Sequence, residues 1–177
     1  MRVFGSGIGA LLLGQPGRTR IRILQALLGI PALLLMQCLV LVDRMRQGAP
    51  WAPFYWYVGC SLLGCVAFYA LLRTGLSNRL SAEASLSRPQ MLFAMLCVGW
   101  AYVLAGPTRT VLMVLMPLIL SFGVFALEER GVRELSLLGI LTMAVSIGIR
   151  GLFEGTENDA VHDAMAWNML AVAMVSI

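Results

Sequence analysis

Apolar residues in this chain come in long continuous runs, not in the one-sided stripe of an amphipathic helix or the alternation of a half-buried strand. Six runs stand out, at 23–42, 52–72, 91–105, 110–127, 135–153 and 160–177, parted by short polar segments. A helix rises 1.5 Å per residue, so about 20 apolar residues cross a hydrocarbon layer of ~30 Å. The pattern predicts an all-α integral membrane fold of six transmembrane helices, with a tail at 1–20 and one helical domain at 21–177. Pro31 is expected to kink the first helix, and Asp43, Arg44 and Arg46 to close it before a Gly48-Ala49-Pro50 turn. Trp51, Phe54, Tyr55, Trp56 and Tyr57 crowd the start of the second helix, as an interfacial aromatic belt does; an aromatic ligand box is the other reading. Gly59, Ser61 and Gly64 in that helix favour close packing. Gly106 to Arg109 reads as a hairpin into a fourth helix containing Pro117, and Glu128 to Glu134 as a charged turn. The last run ends without a closing charge, so the sixth helix is expected to lead into a further domain beyond residue 177.

Composition sharpens this picture. Hydrophobic residues make up 59% and charged residues 12% of the chain, with a mean hydropathy of +0.84. A soluble domain averages about 25% charged residues, so the bilayer is the expected solvent and the expected partner. All thirteen basic residues are arginines. A net charge of +4 dispersed along the chain excludes nucleic-acid binding, which needs a clustered basic face. The arginines instead set orientation. With the N-terminus in the cytoplasm, Arg2, Arg18, Arg20, Arg22, Arg73, Arg79, Arg88, Arg130 and Arg133 lie inside, against Arg44, Arg46, Arg109 and Arg150 outside. Six spans then put the C-terminus in the cytoplasm too. Cys38, Cys60, Cys65 and Cys97 all sit in apolar runs without the paired spacing of a zinc site, and read as small apolar residues. Gly5, Gly7 and Gly9 do not follow a strand, so no phosphate loop is expected there.

The chemistry-bearing residues fall into two groups. Between the fifth and sixth runs stand Arg150, Glu154, Glu157, Asp159, His162 and Asp163, with Trp167 a turn deeper. Arg150, Glu154, His162, Asp163 and Trp167 form a candidate ligand site, since ionisable groups at membrane depth are functional candidates. His162 is the sole histidine, and a free imidazole titrates at about pH 6.5, which suits proton sensing but cannot supply a bis-histidine haem site. Helix capping by Asn158 or Asp159, and pairing of Arg150 with Glu154, are the plain structural alternative. The second group is a candidate signalling loop: Arg73, Arg79, Arg88 and Gln90, with Arg109. No nucleophile–base pair, paired carboxylates or metal cluster appears at credible spacing, so the segment has no catalytic residues and no cofactor of its own.

The segment Tyr69-Ala70-Leu71-Leu72-Arg73-Thr74-Gly75-Leu76-Ser77-Asn78-Arg79, continued by Ala84-Ser85-Leu86-Ser87-Arg88-Pro89-Gln90 and by the Leu104 to Arg109 turn, resembles the N-terminal membrane domains of bacterial GGDEF-type diguanylate cyclases. The likeness covers residues 66–127 and departs from the family pattern at Ser77, Ala84 and Arg88. It implies a six-helix sensor of the bacterial inner membrane that works as a homodimer and responds to a small ligand. It also implies an appended domain that uses GTP and Mg2+ to make cyclic di-GMP. Similar modules precede class III adenylate cyclase domains. A small permease and a purely structural anchor are the readings from other classes.

Overall fold

The computed structural model describes residues 18–74, 87–124, 127 and 129–154, together with 165, 167, 168, 171, 172 and 174; of 18–28, 122–124 and 153–154 it describes the backbone alone. Apart from 48–51, 105–108, 114 and 127, these residues are helical, with no strand among them. The elements are α1 (Arg18–Gln47), α2 (Ala52–Thr74), α3 (Ser87–Leu104), α4 (Arg109–Met113), α5 (Leu115–Val124) and α6 (Glu129–Glu154). Residues 165, 167, 168, 171, 172 and 174 are helical as well.

The centre of the bundle is α3, which packs against each of the other five. Its sequence explains why. Cys97, Gly99 and Ala101 are small and buried, so neighbouring backbones come close. A Cβ on Gly99 would stand 2.7 Å from Ser146 Oγ and 2.8 Å from Thr142 Cγ2, both on α6, its most extensive partner. Met95, Val98 and Tyr102 fill the same core with Leu112, Met116, Leu120, Met143 and Met174. Between α1 and α2, Gln37 Nε2 donates to Ser61 Oγ at 2.8 Å, a buried polar link across the helix pair. Gly64 receives the Phe93 ring, as the close-packing reading expects, whereas nothing approaches Gly59.

Among the described residues two helices, α2 and the Glu129–Leu152 part of α6, are long and apolar enough to cross a membrane. Only 17% and 33% of their apolar windows are buried, so both helices leave most of that surface uncovered by the described residues. Exposed Trp56, Leu63, Val66, Leu141 and Leu152 belong to these outward faces. In the aromatic segment Phe54 and Tyr57 turn inward while Tyr55 and Trp56 remain exposed.

Several boundaries differ from expectation. The charged segment read as a turn is already helical from Glu129, with Arg130 Nε donating to Glu134 Oε1 at 3.1 Å across one helical turn. α3 begins at Ser87, four residues early, because Pro89 lies in its first turn, where backbone N–H groups have no helical acceptor. The expected single fourth helix is two pieces, divided at Val114. Pro117 causes the division, since it has no N–H for the Met113 carbonyl and its ring crowds that carbonyl. Pro31, by contrast, is carried within α1.

Candidate functional site

A buried polar cluster sits at the end of the bundle where α1 and α6 finish, beside the turn leaving α3. α1 ends because Gly48 adopts φ +61°, the left-handed conformation that terminates helices. The last turns of α1 carry Asp43 and Arg44, 0% and 9% exposed. Asp43 Oδ2 accepts hydrogen bonds from the Gly106 N–H (2.8 Å), the Thr108 N–H (3.2 Å) and the Thr108 hydroxyl (2.6 Å). Its other oxygen, Oδ1, is buried with no hydrogen-bond partner among the described residues. Arg44 Nη1 donates to the Pro50 carbonyl at 3.4 Å, which ties the end of α1 to the α1–α2 turn.

The turn's sequence suits this arrangement position by position. Gly106 has no side chain, and the Gln47 amide occupies the place a Cβ would take. Pro107 has no N–H, so the stretch presents donors only at 106 and 108. Thr108 adds a hydroxyl to its amide. Those are the three donors that Asp43 receives.

Arg150, 5% exposed, reaches the same turn from α6. Its Nη1 donates to the Tyr102 carbonyl at 3.3 Å and to the Ala105 carbonyl. Both carbonyls belong to the last turn of α3 and the residue after it, where a helix leaves acceptors unfilled and where its dipole favours a cation. Arg109, 8% exposed, follows the turn at the start of α4. Burying ionisable side chains in an apolar bundle is costly unless each finds hydrogen-bond partners, and here backbone groups of the turn serve Asp43 and Arg150.

The two expected groups of site residues are therefore redistributed. Arg150 is central to the cluster. Trp167 is not beside it: its indole N–H points to the Ile140 carbonyl at 3.5 Å, ten residues and about 15 Å earlier along α6. The Glu154 side chain, His162 and Asp163 lie outside the described residues, as does Arg79. Arg109 does not belong with Arg88 and Gln90. The 18 residues of α3 separate them by about 27 Å, and Arg109 stands at the Asp43 end.

Arg88 and Gln90 open α3 at the other end. Arg88 Nη1 lies 3.8 Å from Glu134 Oε2, both half-exposed, and its guanidinium rests on Gly131. The Gln90 amide nitrogen is buried without a hydrogen-bond partner among the described residues. Arg73 is exposed in the last turn of α2. The four cysteines are free, and no group of metal-ligating side chains forms among the described residues.

Sequence reasoning missed Asp43, which it took only as a helix terminator. One signal was available: Asp43 is the sole acidic residue among the first 82. Comparison of the chain with family models, with curated proteins and with solved structures finds no match.

Proposed function

We propose that this chain is the membrane sensory and regulatory part of a bacterial nucleotide cyclase, with a diguanylate cyclase as the output enzyme. In this reading six spans cross the inner membrane, both termini are cytoplasmic, and the chain works as a homodimer. The GTP, the Mg2+ and all catalytic residues belong to the output domain. The observation that carries the reading is the contrast between the two ends of α3. One end is gripped by buried ionisable groups, Asp43 and Arg150, and the other carries the half-exposed Arg88–Glu134 pair. Ionisable groups enclosed in an apolar bundle are candidates for a functional site. A ligand at the buried end that favours one helix packing over another would bias the opposite end by its difference in affinity. The resemblance of residues 66–127 to diguanylate cyclase membrane domains supports the choice of enzyme, and the low burial of α2 and α6 supports the bilayer.

The test is to express the natural full-length protein in membranes and assay GTP and ATP turnover separately. Cyclic di-GMP from GTP is the expected product. Cyclic AMP from ATP keeps the architecture but changes the family, and the absence of both products refutes the proposal.

A further inference from the structure

We propose that the turn after α3 is a two-sided latch, in which Asp43 and Arg150 join the ends of two helices that are not packed neighbours. Most of the observations lie in the division of labour on one short segment. Asp43 takes the N–H and hydroxyl donors at 106 and 108, while Arg150 takes the carbonyls at 102 and 105. The two grips use opposite polarities of the same backbone and do not compete. They come from residues 63–65 and 45–48 positions away along the chain, so neither is a product of local helix capping.

α1 and α6 each pack on α3 but are absent from each other's main contacts. The turn is thus the place where their ends are mechanically joined. Asp43 Oδ1 has no hydrogen-bond partner among the described residues, so all the described bonds of its carboxylate run through Oδ2. On the α1 side the hydrogen bonds to the turn run through one carboxylate oxygen, with the Gln47 amide packed over Gly106 beside them. Loss of those bonds leaves the Arg150 contacts in place, so the end of α1 is expected to loosen on the turn while α6 still holds it. The latch stands whether or not the chain regulates a cyclase.

The experiment uses the full chain in lipid nanodiscs, with native cysteines replaced and spin labels at Met45→Cys on α1 and Thr110→Cys on α4, both exposed positions. Thr108→Ser keeps the hydroxyl donor and is expected to preserve a single narrow distance distribution. Thr108→Val keeps the shape but removes that donor and is expected to broaden it. Identical distributions for the two variants would overturn the latch. A thermal-unfolding cycle with Thr108→Val and Arg150→Ala gives an independent reading. Two grips on one turn predict that the double variant loses less melting temperature than the two singles together, and additive losses would overturn the proposal.

Discussion

Asp43 is enclosed on every side, yet its two oxygens are treated unequally, and that asymmetry sets what substitutions there do. Asp43→Ala removes the acceptor for three donors and leaves two backbone N–H groups buried and unmet, a loss on the order of 3 kcal/mol. Asp43→Asn retains one acceptor oxygen for those donors and is expected to cost about 1 kcal/mol. Denaturant unfolding in detergent separates the two, and equal losses would contradict the hydrogen-bond account. Two glycines offer a second contrast at this scale. Gly48 sits at φ +61°, where an L side chain is disfavoured by about 1–2 kcal/mol, so Gly48→Ala destabilises. Gly59 is helical, and a methyl group there would meet nothing within 4 Å, so Gly59→Ala stabilises by roughly 0.5–1 kcal/mol. Opposite signs in the same unfolding assay are the expected result. The sequence alone points to Gly48 through its place between a helix end and Pro50. It gives no such pointer to Asp43's partners, because their separation of more than sixty residues leaves no local pattern.

Among elements, α3 determines the packing, and Gly99 is its tightest point. Gly99→Leu would push α3 from α6 at Thr142 and Ser146, and a loss of several kcal/mol in unfolding free energy is expected from overpacking on the order of 1–3 kcal/mol plus lost neighbouring contacts. A variant of unchanged stability would show that the two helices are not held at that distance. Pro117→Ala is expected to fuse α4 and α5 into one helix by supplying the N–H that the Met113 carbonyl lacks, read as increased hydrogen-exchange protection around Val114. The existence of these helices was legible from apolar runs, since lipid and core both select continuous apolar sequence. Their boundaries were not. Glu129 to Glu134 reads as a turn by charge, yet its residues pair one helical turn apart, and Ser87 to Gln90 reads as a loop by polarity, yet Pro89 is harmless in a first turn. The redistribution of the site has the same origin. Arg109 and Arg88 look alike in sequence, and only the length of α3 reveals that they occupy opposite ends.

For the molecule as a whole, the two polar ends differ in how salt should affect them. The Arg88–Glu134 pair is half-exposed, so Glu134→Ala costs no more than about 1 kcal/mol and the cost shrinks at high ionic strength. The Asp43 end is enclosed and should be insensitive to salt. Unfolding at two salt concentrations tests both expectations together. On the proposed topology, a cysteine at Ala49 is labelled from outside and one at Arg130 from the cytoplasm; labelling of both from one side would contradict it.

The central place of α3 also bears on how the protein is made. Its 18 residues begin with Ser87, Arg88, Pro89 and Gln90, and it is not one of the two helices among the described residues that are long and apolar enough to cross a membrane. It leaves the ribosome before α6, its most extensive partner. On the proposed membrane topology the packing of the hub is completed only once α6 has been made, so changes in α6 are expected to be felt first in biogenesis. Chains truncated before Glu129 should leave α3 uninserted in a translocon glycosylation assay, and chains extended through Glu154 should insert it.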